Sequence, residues 1–525
     1  MTSEATPQGT ALPQEAGHPR RWLILIVMML CMFITVMDNN IMTAALASVQ
    51  ESLGATNAEL QWSMDSYTLT FAALMLAAGV LGDRYGRRLV LVGGLLFFAA
   101  ASAFGAWSGD PAQLIGWRAA MGIGAAVVPG CSMGVISNVF PEGERAKAFA
   151  LWSISAGLGI AAGPVIGGAL LGGFWWGSVL LVNVPFALVA VVLTLMFVPE
   201  NRDPAPGRLD LAGVGLSIAG VGTLVFGIIS GGEPAGWGRA IVLGSIGAGI
   251  LILGLLLVVE RRVGNPAVDL SLFRKRSFAA GSAVLCTSAF AIMGAGFVLV
   301  FYLQVARGFS PLKAGLLMLP VALGAMVSGA LGASLADRFG YVAVVAPGAL
   351  LMAASLAFYG TIEQDTSLVV IEIAQTAAGL GFGATLAPVM AVALSEVPPA
   401  RAGAGSAIAN TMRHTGTALG IAVLGSVLGS VYRGQLGSAG DGLPDEAVSS
   451  LGATLRAKPE IAEPAHAAFM DALHASMLVG AGIALLCAVV ALTCLPGRPR
   501  ADVAVAGSAP QAAPDGHADL KGSRA

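Results

Sequence analysis

Charge is what this sequence has least of. Asp, Glu, Lys and Arg make up 11% of its 525 residues, against about a quarter in an ordinary soluble domain. With 56% hydrophobic residues and a mean hydropathy of +0.80, one water-soluble globule is excluded. None of the five lysines follows Gly and precedes Ser or Thr, so the chain has no phosphate-cradling P-loop. Zinc-protease spacing of histidines is missing too, and His414 is the one histidine well inside an apolar stretch. Cys31, Cys131, Cys286, Cys487 and Cys494 lie in apolar runs without metal-ligand spacing and read as reduced packing residues. No metal site, cofactor, nucleic-acid partner or nucleophile–base constellation is expected, and the chain does not read as an enzyme.

What it has instead is fourteen apolar stretches, the first at 22–48 and the last at 473–495, each near the roughly 20 residues that cross a bilayer as a helix. The runs do not alternate as barrel strands do, so the expected fold class is an all-α integral membrane protein. Most of the 28 basic residues, among them Arg20, Arg21, Arg84, Arg87, Arg88, Arg145, Lys147 and Arg274–Arg276, fall on one side of the alternating topology. By the positive-inside rule that side, with both termini, is cytoplasmic. The lipid bilayer is the first partner expected.

An internal repeat divides the chain. Asp83-Arg84-Tyr85-Gly86 returns as Asp337-Arg338-Phe339-Gly340, Gly122-Ile123-Gly124 as Gly379-Leu380-Gly381, and Arg145-Ala146 as Arg401-Ala402, at an offset of about 255 residues. The expected order is a tail at 1–21, a six-helix half at 22–198, two inserted helices with their loops at 199–277, and a second half at 278–495. That half would contain a long external loop at 432–472, irregular apart from a short helix near 445–457. A second tail occupies 496–525. Both tails are rich in Pro, Ala, Gly and polar residues and read as disordered.

A charge placed in hydrocarbon costs about 2.5–3.5 kcal/mol on insertion scales. Asp38, Asp65, Arg118, Glu372 and Arg413 are therefore the candidates for chemistry. At a helical rise of about 1.5 Å per residue, Asp38, Asp65 and Arg118 come to similar depth, which suits a proton-and-cation site. A purely structural Asp–Arg pair is the competing reading. Trp62 and Tyr67, beside Asp65, are candidate substrate contacts, and for Trp62 the membrane interface is the alternative. Glu372, near a helix end, and Arg413, in the thirteenth helix, complete the candidate binding set.

Gly159, Gly163 and Gly167 leave one smooth helix face, Pro164 removes a backbone hydrogen bond within it, and Gly168 follows. General small-residue packing competes with a specific conformational role. In the loop after the second helix, Gly79, Asp83, Gly86, Arg87 and Arg88 have the makings of a latch, echoed by Asp337 and Arg338. Topological charge bias is the plainer account of the arginines.

Together these motifs resemble the major facilitator superfamily, in its 14-helix drug:H⁺ antiporter branch, over about residues 20–498. Gly79–Arg88 is similar to the family's motif A, Leu114-x-x-x-Arg118-x-x-Met121-Gly122 to motif B, and Gly159–Gly168 to motif C. Phe301–Gln304 through Ser310–Gly315, Asn410–Gly416 and Trp62-x-x-Asp65-x-Tyr67 are similar to other patterns of the branch. The resemblance implies two six-helix halves plus two inserted helices. It also implies Asp38 as proton carrier assisted by Arg118, with Asp65 in cation recognition. The implied function is proton-driven export of drugs, lipophilic cations or antibiotic-like compounds across a bacterial cytoplasmic membrane, by a monomer drawing on the proton gradient. A dedicated exporter of one host-made metabolite is the alternative, with an uptake symporter or a membrane receptor more remote. The sequence departs from the family at Asp38-Asn39-Asn40 and at Gly324-Ala325-Met326, where some multidrug relatives carry an acid. Monocations or neutral compounds are thus expected rather than dications.

Overall fold

A computed structural model describes residues 17–202, 211–233, 236–261, 270–395, 402–444 and 447–496. Residues 1–16 and 497–525 of the two expected tails, Arg401 of the repeat and parts of the loops around the inserted helices lie outside the described residues, while Arg21, placed at the end of the first tail, already opens the first helix. Thirteen membrane-length helices and a fourteenth bent by 51° between Met75 and Ala77 follow one another, with no strand among the described residues. They are α1 (Arg21–Leu53), α2 (Asn57–Tyr85), α3 (Arg87–Ala106), α4 (Pro111–Val139), α5 (Glu142–Leu171), α6 (Ser178–Phe197), α7 (Leu211–Gly231) and α8 (Ala240–Glu260). There follow α9 (Arg276–Ala306, closing in a π turn), α10 (Pro311–Leu317 continued by Leu319–Phe339), α11 (Tyr341–Tyr359), α12 (Leu368–Ser395), α13 (Ala402–Leu436) and α14 (Ala462–Cys494). Helices satisfy every interior backbone group within the segment, which hydrocarbon requires. Leucines, isoleucines and valines stay exposed on their outer faces, Leu251 on α8 at 75%, the reverse of a soluble surface and the mark of lipid contact.

Local chemistry sets the helix ends. Thr56 and Glu59 form a capping box at the start of α2, the Glu59 carboxylate accepting from the Thr56 amide at 2.8 Å. Asp110 and Ser310 cap α4 and α10, each followed by Pro at the first helical position. The two repeated Asp-Arg-aromatic-Gly segments end alike: Gly86 has φ +111° and Gly340 φ +95°, conformations that favour glycine, and each turns one helix directly into the next.

The end of the chain differs from the sequence expectation. α13 continues to Leu436 and α14 starts at Ala462, so the long connection is 437–461, not 432–472. The short helix within it is Leu451–Ala457. Residues 462–472 are too polar to read as a span, but Ala465, Ala468, Phe469 and Ala472 repeat at helical spacing and are buried in the bundle. Pro464 falls in the first turn, where its missing amide costs nothing.

In the first half α1 packs on α5, α2 on α4, and α3 on α4 and α6. In the second, α10 packs on α12, α9 on α13, and α11 on α12 and α14. The halves meet along α2 with α13 and α5 with α10. α7 lies against both α2 and α13, and α8 packs on α7. The Ser426 hydroxyl donates to the Ile228 carbonyl at 2.8 Å, and Trp62 meets Phe226 with ring centroids 6.4 Å apart. The inserted pair therefore covers one seam between the halves.

Candidate functional site

The interior charge is concentrated where α1, α4 and α6 meet. Asp38 and Arg118 are fully buried, and Arg118 Nη1 donates to Asp38 Oδ2 at 2.6 Å. Arg118 Nε donates to the Ser63 carbonyl at 3.1 Å, and the guanidinium lies over the Tyr67 ring, 4.4 Å from its centroid. Tyr67 is fixed by its own hydroxyl, which donates to the Thr35 carbonyl at 3.0 Å. The second carboxylate oxygen, Asp38 Oδ1, accepts from Asn183 Nδ2 at 2.6 Å. That amide also donates to Ser102 Oγ at 3.2 Å, and Ser102 donates to the Leu180 carbonyl at 2.7 Å. The structure thus brings Asp38, Arg118 and Tyr67 together. Removing one member of such a pair leaves an uncompensated buried charge, at about 3–5 kcal/mol.

Asp65 stands apart from them. It shares a face of α2 with Trp62 and Leu69, which pack among residues of α7 and α13 such as Val225, Ile229, Ala418 and Ala422. It is fully buried, and neither carboxyl oxygen has a hydrogen-bond partner. The three charges expected at one depth are therefore a pair and a separate acid on another helix face.

A cavity of about 110 Å³ lies between the halves. Asn39, Asn40 and Thr43 of α1, Met64 of α2, and Ile160 and Pro164 of α5 line one wall. Met293 and Phe297 of α9, Val321 and Ala325 of α10, Gln375 and Phe382 of α12, and Thr417 and Ile421 of α13 line the other. Among the described residues no charged side chain lines it. Of the expected substrate residues, Asp65, Trp62, Tyr67, Glu372 and Arg413 all lie off this wall. Glu372 is half-buried one turn before Gln375. Arg413 lies one turn before Thr417, its Nε on Asn410 Oδ1 at 3.4 Å and its Nη2 2.9 Å from His414 Nε2. Among the described residues no carboxylate pairs with it.

The glycine face of α5 divides its work. A Cβ on Gly159 or Gly163 would run into the α1 backbone, at 3.0 Å from Met37 N or 2.9 Å from Ile41 N, and one on Gly167 would meet the Ile41 side chain at 2.8 Å. Gly168 faces the other half, where a Cβ would come within 2.6 Å of the Pro311 carbonyl. Gly315 in turn presses against the Pro164 backbone. The motif wedges α5 between α1 and α10.

In the loop after α2, Arg87 bonds to Asp83 at 2.7 Å and donates to the Gly134 carbonyl at 2.7 Å. Gly79 meets Gly130 closely, and the Arg88 amide donates to Glu200 at 3.1 Å. These contacts stay within the first half and the start of the segment that follows it, at Glu200; none reaches the second half. Asp337 and Arg338 are exposed, with Arg338 over the Phe339 ring.

The profile of the Major Facilitator Superfamily matches residues 28–421. The chain belongs to the major facilitator superfamily. It is 30% identical to the tetracenomycin C resistance and export protein of Streptomyces glaucescens, over 93% of this chain and 94% of that one. It is 29% identical to the multidrug efflux pump LfrA of Mycolicibacterium smegmatis, over 93% and 98%. In fold it is similar to a bacterial homolog of the human lysosomal transporter Spinster, crystallised inward-facing and unoccupied, with a TM-score of 0.66 at 18% identity, covering 90% of this chain and 96% of that one. The resemblance to the drug:H⁺ antiporter branch and the all-helical membrane fold are thereby borne out.

Asn183 and Ser102 escaped the sequence reading because it sought charges. The signal was available: Asn183 is the one amide side chain in the otherwise apolar run 178–197.

Proposed function

We propose that this transporter is a proton-driven antiporter exporting lipophilic drugs or antibiotic-like compounds from the cytoplasm. The observation that carries this reading is a fully buried Asp38–Arg118 pair on the helix whose next two residues, Asn39 and Asn40, line the cavity between the halves. When α1 and α4 shift against each other, Asp38 loses its guanidinium and becomes a lone buried charge. Taking up a proton removes that charge. Each inward proton supplies about 2.3 kcal/mol per 100 mV of membrane potential.

The positive-inside rule assigns the 85–87 and 340 turns to the cytoplasm and the 437–461 loop to the outside of a bacterial inner membrane. Residues 17 and 496 then lie inside. Gln304 Nε2 donates to the Ala44 carbonyl at 2.9 Å and Asn57 Nδ2 to the Ser449 carbonyl at 2.7 Å. With Gly168 against Pro311, these contacts join the halves on the outer side, so this is the conformation closed to the outside. The chain acts as a monomer and uses the proton gradient with no cofactor.

The uncharged cavity wall favours neutral or singly charged lipophilic compounds. The second reading, a dedicated exporter of one antibiotic-like metabolite, is favoured instead by the name of the Streptomyces glaucescens relative, a tetracenomycin C resistance and export protein. The test is ethidium efflux from cells expressing wild type or Asp38→Asn, with and without a protonophore. Efflux stopped by either change is the expected result. Wild-type efflux that survives the protonophore refutes proton coupling. A membrane-inserted wild type that moves no ethidium turns the assignment to the dedicated exporter.

A further inference from the structure

Arg118 can donate to Asp38 but can never take the hydrogen of its acid form, because a guanidinium donates hydrogen bonds and never accepts them. The other partner, Asn183, is differently equipped. Its Nδ2 is spent on Asp38 Oδ1 and Ser102 Oγ, while its Oδ1 is buried with no hydrogen-bond partner among the described residues. A buried acceptor without a partner is a group that calls for explanation. Asn183 also stands at a break in α6, as the first residue after Val182 separates Ser178–Leu181 from Asn183–Phe197. The carbonyl of Leu180, just before that break, is held by the Ser102 hydroxyl.

We infer that Asn183 is a positioning residue for Asp38 whose side-chain amide donates to the carboxylate and reverses to accept from the carboxylic acid. This rests on the proposal that Asp38 carries the transported proton. In the ionised state Nδ2 holds Oδ1 of Asp38, as observed. On protonation an O–H bond forms at Asp38, its charge is lost, and no other group changes charge. A half-turn of the amide then brings Oδ1 to accept that hydrogen. Ser102 follows, since its hydroxyl hydrogen rotates freely from the Leu180 carbonyl to the reversed amide oxygen. Asp38 thus keeps a partner after Arg118 has let go, and the unpartnered place passes from Oδ1 to Nδ2 of the reversed amide. The titratable groups against Asp38 are Arg118 from α4 and Tyr67 from α2. α3 and α6 present Ser102 and Asn183, and α5 presents Gly159 and Gly163, none of which titrates.

The experiment is infrared titration of the purified full chain, following the carboxylic-acid carbonyl band that Asp38→Asn removes. No transported ligand is needed. Asn183→Leu deletes the donor to the carboxylate and the acceptor of the acid together; because a hydrogen bond to the charged form is the stronger, the Asp38 midpoint is expected to rise by about one pH unit, a roughly tenfold gain in proton affinity. A donor that never reverses would also raise it, so the deciding readout is the Asn183 side-chain carbonyl band, identified as the one Asn183→Leu removes. It is expected to move to lower frequency across the Asp38 titration as the oxygen gains the acid's hydrogen. A carbonyl band that holds its frequency across the titration overturns the inference. If Asn183→Leu does not fold, Asn183→Ala assigns the band in its place. A wild type in which no Asp38 band titrates overturns the proton-carrier reading itself, a result distinguishable from an unmoved Asn183 band.

Discussion

A single methyl group at Gly168 should shift the balance between the two conformations of the transporter. Its Cβ would sit 2.6 Å from the Pro311 carbonyl oxygen and closer still to Leu312 Cα, and ordinary contact begins at 3.4 Å, so the two halves must part by at least about 0.8 Å or strain α10. Overpacking of this kind costs about 1–3 kcal/mol. The cost falls only on the conformation in which α5 and α10 touch. The gain in helix propensity from Gly to Ala is the same in both conformations and cancels. The equilibrium should therefore move about 5–150-fold away from the outside-closed state. Spin labels at Gly173→Cys and Asp365→Cys, both exposed on that face in opposite halves, read the change as longer distances in a background free of the five native cysteines. Gly159→Ala is the control, because its methyl meets only α1 of the same half. An unchanged distance distribution in Gly168→Ala, or an equal change in Gly159→Ala, refutes the division of labour along this helix.

The Asp38–Arg118 pair should show strong non-additivity in thermal unfolding. Asp38→Asn and Arg118→Met should each destabilise by about 3–5 kcal/mol, while the double variant recovers most of the loss because no buried charge is left over; losses that simply add would refute the pairing as the dominant local interaction. At the cytoplasmic face Glu144, before the apolar stretch 147–171, accepts two hydrogen bonds from Arg21, at 2.7 and 3.2 Å, and this pairing holds its carboxyl below the usual value of 4.5. A lowered folded value means that the pair stabilises above 4.5 and that the effect fades as pH falls through the folded value. Wild type and Glu144→Gln should then differ in Tm at neutral pH and converge in acid, and a Tm gap that persists at low pH counts against the ion pair.

The fold was open to sequence reasoning because hydrocarbon imposes its demand one helix at a time. A run such as Ile241–Val259 has to be a buried or lipid-facing helix whatever its neighbours do. Where that demand weakens, the reading failed: α14 begins at Ala462 because Ala465, Ala468, Phe469 and Ala472 find a groove in the bundle, which is a fact about neighbours, not about hydropathy. The site divides along the same line. Asp38 and Arg118 announce themselves as charges in an apolar context, and similar depth was enough to pair them. Depth says nothing of helix rotation, however, and rotation sends Asp65 toward α7 and α13 and away from Arg118.

Substrate choice lies further from what one sequence discloses. The cavity wall is assembled from one to six residues of each of nine helices, among them Asn39, Met64, Phe297, Gln375 and Thr417, each unremarkable at its own place in the chain. Only packing makes them neighbours. A wall without fixed charge can discriminate only by shape, apolar area and a few amides and hydroxyls, and one methylene more or less in such a pocket is worth about 1–3 kcal/mol. Such a wall suits the broad substrate range of the proposed drug exporter, whereas in the proposed coupling everything rests on one carboxylate and the side chains that hold it, which would tolerate far less change.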